Sequence, residues 1–530
     1  MSPADALVNP TKVLQVLYAA NRSKSIEEFP RTVAEHFQEV FSSEHEFRQI
    51  PTLDLNNPPA SFANGSLVLF RAMVQDTSLS PELYLATHKK GGCGGWGITN
   101  DLTFEEDVQY DNLRECTAIW AVSIPGLSTW CYEETFSNTS THDVLLPHKY
   151  PIPDVPYVGV QLKIYDEKIS NPLRTTDLAS FIGILTSEPF RAELEVSGPL
   201  HVPTLHVLFT VPIPASIVSR TFPEPLILPT AQSIRNELIN WIAEEGLAGD
   251  LIAAEWVLIC TISRVRSRHP PILPLSLTIS NFPTDTEHPN SPPTIFNVLS
   301  LIFSLVSVLS LSLDTLNRGS YSPESKDEDL HSGRLQLPKS SILVINEGAI
   351  TEGAVNATGV ANIRAIQEMM KSQTLDYVFP YSGFQFETDV TFITTTDSKK
   401  SAFFQTDVNI PFRPRIIDNL TANLYKVKDA ISLPPTEKLR KFRELVGGAK
   451  TGSVLVGEVM GKFVEEEFIR ERLQITNQRS DGTAGGFSPD DLIRRMLVTR
   501  LHALSLHQYE VEQINWESAK ELERVLRSCR

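Results

Sequence analysis

The stretch "SGRLQLPKSSILVINEG" (332–348) decides how the second half of this 530-residue chain folds. Within it, "SILVIN" (341–346) is a short uncharged run rich in branched apolar residues, which is typical of a buried β-strand. A helical pattern, "GVANIRAIQEMMKSQ" (359–373), and a second strand pattern, "DVTFITT" (389–395), come next. Strand, helix and strand in this order predict an α/β sheet whose strands are joined by crossover helices.

The chain upstream of this unit alternates in the same way. The apolar spacing predicts a helix over 233–265, a strand over "PLSLTIS" (274–280), an apolar helix over 294–313 and a mobile, charged loop over 317–333. Because the apolar helix and its flanks are uncharged, a membrane span is the alternative for this segment. Five serines between 300 and 312 dilute its hydrophobicity, and no aromatic belt or cationic cluster flanks it, which favours a buried core helix and no membrane.

The first half of the chain follows a different pattern. Residues 7–47 carry helical apolar faces, and 50–65 read as a turn-rich connection. Five β-rich runs follow, bounded by Gly, Pro, Asp or Asn: "SLVLFRAMVQD", "TAIWAVSIPG", "VGVQLKIYDE", "LASFIGILTSEP" and "TLHVLFTVPIP". They predict a small barrel of the OB type. The glycine-rich tract 89–101, with Cys93 and Trp96, is expected to be a flexible loop because no strand-to-helix junction follows it.

These patterns predict an α+β multidomain chain. We expect an N-terminal helical region (1–50), an OB-like β-rich domain (51–215), an α/β domain (226–430) and a helical C-terminal region (431–530). In the last region the helices begin near 436, and the final pair starts with Ser488 as N-cap and Pro489 as first helical residue.

The composition limits the partners and the compartment that we expect for this chain. The net charge is −17, from 64 acidic and 47 basic residues, and such a surface repels phosphate backbones. The five cysteines form no C-x-x-C pair and no metal spacing, which suits a reducing compartment. The first residues, "MSPADALVNPTK", show no secretory pattern, so cytosol or nucleus is expected.

The stretch "VGGAKTGS" (446–453) is the first candidate for a phosphate-binding loop. If Lys450 were the lysine of such a loop, glycines should occupy 449 and 444, but Ala449 and Glu444 stand there. We therefore interpret the stretch as a turn between two helices.

Other catalytic signatures are weak. The sequence contains no G-x-S-x-G and no H-E-x-x-H. His331, His502 and His507 stand alone, and His502 is expected to be an ordinary residue on a helix surface.

Several runs, in the same order along nearly the whole chain, are similar to the minichromosome maintenance complex-binding protein family. They are "FRAMVQD", "IPGLSTW", "KIYDE", "FIGILTSEP" and "PTLHVLF" in the first half, and "SGRLQLPKSSILVINEG", "TGVANIRAIQEM" and "PDDLIRRMLVTRLHALSL" in the second. The chain resembles a fungal-type member of this family.

The resemblance implies a non-catalytic binding partner of the minichromosome maintenance (MCM) replicative helicase subunits. Such a protein would act in helicase assembly or unloading during DNA replication in the cell cycle, and would support sister chromatid cohesion. The implied partners are a subset of the helicase hexamer in the nucleus, with indirect chromatin association, no direct nucleic-acid binding and no cofactor. Two alternatives stay open: an OB-type single-stranded nucleic-acid-binding protein, and an active ATPase.

The helicase subunits are AAA+ ATPases, and residues 332–348 resemble their Walker B region. In this comparison Asn346 replaces the aspartate that orders magnesium, whereas Glu347 is kept. The resemblance therefore implies a degenerate AAA+-like domain with a helical lid, without catalytic, cofactor or metal residues. Glu347 would be a relic or a structural hydrogen-bonding group.

Three further positions depart from the AAA+ pattern. The stretch at the Walker A position, "NFPTDTEHPNSPPT" (281–294), has four prolines and neither glycine nor lysine, so it lacks N–H donors for phosphate. The strand at the sensor position ends in "ITTTD" (393–397) without an Asn-Pro pair. Asp490 and Asp491 stand near the expected place of a sensor arginine. These departures predict that the fold was retained and the ATPase lost.

Overall fold

The N-terminal helices pack on the outside of a β-barrel. The computed structural model describes residues 2–22, 25–87, 92–98, 110–132, 146–190, 200–213, 228–326, 329–477 and 489–528. Its first elements are the helices α1 (Pro3–Val8), α2 (Pro10–Ala20), α3 (Phe29–Val40) and α4 (Glu44–Phe47). Helix α3 places Phe29, Val33 and Phe37 on one buried face, and Phe41 just after it stacks on Phe209 of the barrel.

The barrel contains all five strands that the sequence predicts. Its elements are β1 (Ser66–Asp76), β2 (Glu82–Leu85), β3 (Leu113–Ser123), β4 (Gly159–Ile164), α5 (Glu167–Ser170), β5 (Leu178–Pro189) and β6 (His201–Pro212). The strands pair in the order β1-β5-β6-β4-β3, and β3 returns to β1, which closes the ring. All pairs in the ring are antiparallel except β4 with β6. Phe70, Phe181 and Leu205 are among the buried side chains of its interior.

The expectation of a flexible loop around Cys93 and Trp96 is wrong for the described residues 92–98. Both side chains are buried, and Trp96 donates from its backbone N–H to the Tyr165 hydroxyl (2.9 Å) and from its indole to the Val207 carbonyl (3.3 Å). Gly97 has φ +71°, and a Cβ there would lie 2.6 Å from Thr186. The glycines therefore serve close packing of this tract on the barrel wall.

The second half is built around a five-stranded parallel sheet. Its elements are α6 (Leu228–Gly246), α7 (Leu251–Ile262), β7 (Ser267–Arg268), β8 (Pro271–Ile272), β9 (Leu277–Ser280), α8 (Thr294–Ile302), β10 (Val306–Ser310), α9 (Leu313–Asn317), β11 (Glu324–Lys326), β12 (Asp329–His331), β13 (Ser341–Asn346), α10 (Ala357–Ser372), β14 (Thr374–Phe379), β15 (Ser382–Glu387), β16 (Val390–Thr395), β17 (Val408–Pro411) and α11 (Leu420–Leu424). The parallel sheet has the order β10-β13-β16-β9-β17, and a smaller sheet has the order β12-β11-β14-β15. The predicted strands at 274–280, 341–346 and 389–395 and the helix at 359–373 are confirmed.

The single helix expected over 233–265 is wrong, because two helices occupy this range. Helix α6 ends at Gly246, and Gly249 then takes a left-handed conformation (φ +83°). Asp250 caps α7 by accepting hydrogen bonds from the backbone N–H groups of Ile252 and Ala253. The apolar periodicity runs through both helices and therefore does not reveal the break between them, which Asp250 caps.

The apolar helix expected over 294–313 is wrong as well. Helix α8 ends at Ile302, and β10 pairs in parallel with β13 as an edge strand of the five-stranded sheet. An apolar run of this length fits a helix or a buried strand, and the pairing decides between them. Among the described residues, no helix is long and apolar enough to cross a membrane.

The mobile loop expected over 317–333 is also wrong for the residues described there. Strands β11 and β12 form a hairpin in this range, and Asp329 and Leu330 are buried. The charges that suggest a loop belong partly to ion pairs, such as Lys326 with Glu324.

Four helices complete the chain: α12 (Thr436–Thr451), α13 (Glu458–Asn477), α14 (Pro489–Ser505) and α15 (Gln513–Ser528). The predicted helical end of the chain is confirmed, and α14 begins at Pro489. Ser488 lies outside the described residues, so its capping role stays a prediction. Helices α12 and α14 share one apolar core with α6, α7 and α8, represented by Phe442, Leu504 and Trp256.

The turn expected at 446–453 is wrong, because α12 continues through Thr451. Gly448 lies in the middle of this stretch, and a Cβ there would be 2.6 Å from the His507 ring. The glycines allow α12 to approach the segment after α14 closely, which outweighs their low helix propensity.

Candidate functional site

Asn346 ends strand β13 and joins the sheet to the loop that precedes α8. Its side-chain oxygen accepts hydrogen bonds from the Gly348 N–H (3.0 Å) and the Thr395 hydroxyl (3.3 Å), and its amide donates to the Ser291 carbonyl (3.2 Å). The side chain is buried and neutral. It thus connects the end of β13, the end of β16 and the loop before α8 through a neutral side chain, which offers no negative charge to a metal.

Glu347 is held by the turn after β16. Its carboxylate accepts hydrogen bonds from the Ser401 hydroxyl (2.5 Å) and the Ala402 N–H (3.2 Å), and the Ser401 hydroxyl accepts one from the Phe404 N–H (2.9 Å). Burial raises the pKa of the Glu347 carboxyl, and the hydrogen bond from Ser401 opposes that shift. One oxygen therefore binds a side-chain hydroxyl and the other a backbone N–H of the same turn, which fits a structural role.

The loop 281–293, which the sequence comparison aligns with a Walker A loop, lies between β9 and α8. Asp285 folds it locally, because its carboxylate accepts hydrogen bonds from the backbone N–H groups of Glu287 (3.0 Å) and His288 (3.2 Å). The Pro283 carbonyl accepts from the Tyr425 hydroxyl at 3.1 Å. Four positions of the loop lack an N–H because they are prolines, and the N–H groups of Glu287 and His288 are bonded to the Asp285 carboxylate.

Helix α8 begins directly after two prolines. Its N-cap is Pro293, which makes no side-chain cap hydrogen bond, and the preceding residue is also a proline. A helix N-terminus attracts anions through its free N–H groups. Pro293 lacks the N–H of the N-cap position, Pro292 lacks another N–H in the loop before it, and the acidic pair Asp285 and Glu287 lies in the same loop.

Lys450, the lysine of the glycine-rich stretch, is buried in the core. Its ammonium donates to the Thr261 carbonyl (3.1 Å) and lies over the Phe303 ring at 5.7 Å from the centroid. Burial lowers the pKa of Lys450 to about 8. Of the two acids that the sequence comparison places near a sensor arginine, Asp490 is exposed, and Asp491 pairs with Arg494 within the first turn of α14.

His502 is not a surface residue, contrary to the sequence expectation. It is buried, and its Nδ1 accepts a hydrogen bond from the Asn515 amide at 3.2 Å. Burial lowers the pKa of His502 to about 3, and the nearby Arg235 charge acts in the same direction. His507 contacts the Leu445 carbonyl (2.8 Å), and His331 stacks on His148. The described residues contain no group of three or more His, Cys, Asp or Glu side chains that could hold a metal ion.

The loop after β3 docks on the edge of the parallel sheet, a contact that sequence reasoning missed. The Gly126 carbonyl accepts from the Val306 N–H (2.9 Å), and Ser128 donates through its N–H to Ser304 (2.8 Å) and through its hydroxyl to the Phe303 carbonyl (2.6 Å). Two residues on, the Trp130 indole donates to Ser300 at 3.0 Å. The run "IPGLSTW" (124–130) contributed to the family resemblance, but nothing in it indicates this role.

A buried charge cluster connects the barrel to the small sheet. It is a second contact between the two halves, after that of the loop following β3. The Lys149 ammonium lies 2.8 Å from Asp76 at the end of β1 and also pairs with Asp329 on β12. His148 approaches the other Asp329 oxygen at 2.8 Å. Next to it, the Gln336 amide donates to the Gln75 carbonyl at 2.8 Å. The cluster fixes the barrel against the second half through the fully buried Lys149 and Asp76 side chains and the Asp329 side chain, which is 10% exposed.

Comparison with known proteins gives one consistent family. The model of the family described as "Mini-chromosome maintenance replisome factor" matches residues 37–147 and 134–529. A Danio rerio protein named "Mini-chromosome maintenance complex-binding protein" is 24% identical over 642 aligned residues, covering 98% of this chain and 97% of its own length. Relatives of the same name are 22% identical in Arabidopsis thaliana (93% and 92% covered) and 28% identical in Homo sapiens (56% and 44% covered).

Proposed function

Because the chain belongs to the mini-chromosome maintenance replisome factor family, we propose that it is a non-catalytic binding partner of MCM helicase subunits. Relatives across most of its length are named as binding proteins of that complex. The finer role that we propose is helicase assembly or unloading during DNA replication in the nucleus, with a contribution to sister chromatid cohesion.

We also propose that the second half is a degenerate AAA+-like domain and that the barrel is OB-like. The support for the first is the strand order β10-β13-β16-β9-β17, in which the strand at the sensor position lies between the strands at the Walker A and Walker B positions, as in AAA+ domains. The support for the second is a closed ring of five strands.

The observation that carries the non-catalytic role is the use of Asn346 and Glu347. The Asn346 amide donates to Ser291 in the loop where phosphates would lie in an ATPase. The two Glu347 oxygens accept hydrogen bonds from Ser401 and Ala402. Phosphoryl transfer needs a metal-holding carboxylate, a phosphate cradle and a group that orients water. In this chain each of those positions stabilises the fold.

A chain that has the fold of a helicase subunit but binds no nucleotide could still contact the neighbouring subunits. Each subunit of an AAA+ ring contacts two neighbours, and one contact is completed by the nucleotide. A pseudo-subunit can hold one neighbour and leave the ring open. We therefore propose that the chain binds a subset of the helicase subunits, associates with chromatin only through them, and is no stable part of the complete loaded hexamer.

Two measurements test this function. Calorimetric titration of the purified chain with Mg-ATP should give no heat of binding, and a micromolar affinity that Glu347→Gln abolished would contradict the proposal. Purified helicase subunits, tested one at a time, should bind the chain, and Glu347→Gln should leave that affinity unchanged because no chemistry is involved. Stable retention of the chain in the complete loaded hexamer would contradict the open-ring reasoning.

The alternative, a single-stranded nucleic-acid-binding protein, has less support. Such proteins stack bases on exposed aromatic rings beside a basic groove. Among the described barrel strands, the rings of Phe70, Trp120, Phe181 and Phe209 are buried, and Tyr84 on β2 is half-buried. We expect no binding of a fluorescent single-stranded oligonucleotide at physiological salt, and submicromolar affinity with a steep salt dependence would favour the alternative.

A further inference from the structure

The outer strand of the small sheet, β15, presents an open edge. It pairs residue by residue with β14, and no described strand lies on its other side. Every residue from Ser382 to Gln385 is exposed. The backbone N–H and C=O groups on this side are therefore available to another strand.

Aromatic side chains line the same edge. Tyr377 is buried and lies 4.4 Å (ring centroids) from Phe386, whereas Phe384, directly opposite Tyr377, is 55% exposed. Phe379 contacts Phe384 edge-on at 5.6 Å. Tyr381 at the turn is fully exposed. The apolar face of the hairpin thus continues past the core into solvent, beside the open edge.

The edge lacks the features that normally prevent strand pairing. The run "YSGFQF" (381–386) contains no charge and no proline, although exposed edges are usually protected by lysine, proline or a bulge. The only charged residues of the hairpin 374–387 are the acids Asp376 and Glu387. Arg268 lies 3.2 Å from Glu387, but the Glu387 side chain remains 66% exposed.

We propose that β15 is the site at which an extended segment of a helicase subunit adds as a fifth strand. The open edge supplies backbone hydrogen bonds, Phe384 packs against an apolar side chain of the added strand, and Tyr381 at the turn contacts the end of that strand. The acids at the base of the hairpin select a segment with lysine or arginine near its ends, which also suits a chain of net charge −17. This inference rests on the proposed function, since it names the surface that performs it.

The test uses the intact chain and purified helicase subunits, each titrated singly. Phe384→Lys places a charge on the open edge, and Tyr381→Ala removes the exposed ring without touching the strand. Val459→Lys is the matched control, because Val459 is 84% exposed and lies on α13, outside the small sheet. Phe384→Lys should weaken binding about 30-fold or more and Tyr381→Ala by about tenfold, as expected for central aromatic contacts, while the control stays within about twofold.

Hydrogen exchange distinguishes strand addition from simple side-chain contact. In the complex, the amides of 382–387 should exchange more slowly than in the free chain. If a subunit binds the wild type and Phe384→Lys equally, or if these amides gain no protection, the inference is wrong while the proposed function stands. If no subunit binds the wild type, both are wrong. A wild-type dimer in sedimentation that Phe384→Lys dissociates would assign the edge to a second copy and overturn the inference.

Discussion

Replacing Lys149 with methionine should destabilise the folded chain by about 3–5 kcal/mol. The ammonium lies 2.8 Å from Asp76 and also pairs with Asp329, and the Lys149 and Asp76 side chains are 0% exposed. Methionine fills a similar volume but carries no charge, so two carboxylates would remain close together without their shared cation. The large loss comes from leaving buried charges uncompensated.

A second variant separates charge from packing. Adding Asp76→Asn to Lys149→Met removes one of the two carboxylates that lose the Lys149 ammonium, so the double variant should recover roughly 0.5–3 kcal/mol of the loss. Lys339→Met is the matched control, because Lys339 also joins the second half to the barrel, through Asp177 at 3.8 Å. Its side chain is 50% exposed, so solvent screens the pair and the loss should be about 0.5 kcal/mol or less.

The assay is urea unfolding followed by tryptophan fluorescence. The first transition is compared between variants, because a chain with several cores need not unfold in one step. If Lys149→Met lowered the free energy of unfolding by less than about 1 kcal/mol, or by no more than Lys339→Met does, the reasoning would be refuted. The cluster would then not be a buried ion pair that holds the two halves together.

Three further outcomes are expected. Gly126→Ala should cost about 1–3 kcal/mol in urea unfolding, because φ is +70° and the new Cβ would lie 2.4 Å from the Ser307 hydroxyl, whereas Gly65→Ala (φ +87°, nothing within 4 Å) should cost less. Leu305→Arg should abolish recovery of soluble chain, since Leu305 is buried at the barrel contact and an unpaired buried charge costs several kcal/mol. The pKa of His502 is lowered from 6.5 to about 3, so the unfolded state binds the extra proton and stability should fall by up to about 1.4 kcal/mol per pH unit as the pH drops through that window. His502→Gln should make this slope shallower, because it removes the contribution of His502.

The parallel sheet could be predicted where single strands are fully buried. Strands β13 and β16 are uncharged six-residue runs in which every residue is buried, so the sequence pattern and the structure agree. Strand β10 could not be predicted in this way. The apolar run 294–313 fits either element, and the division is made by pairing with β13 and by the Leu127–Leu305 bridge to the barrel.

The candidate site, like the sheet, could be predicted from the sequence only in part. The positions of Asn346 and Glu347 at the end of a strand follow from the local pattern, but their partners Ser291 and Ser401 lie 55 and 54 residues away. The Lys149–Asp76 pair spans 73 residues, and nothing around Lys149 marks it as buried. Long-range polar contacts of this kind depend on packing between separate elements, which local propensity does not encode.

The contacts between the two halves determine how the partner surface has to be located. A cut between 213 and 228 would leave Asp329 without Lys149 and would uncover the β10 edge that Leu127 covers. A separated half that failed to bind helicase subunits could lack the surface or could have lost its fold, and the two causes give the same result. Single substitutions on the intact chain change one surface at a time. The ratio of the affinities of Phe384→Lys and Val459→Lys therefore locates the partner surface where separated halves cannot.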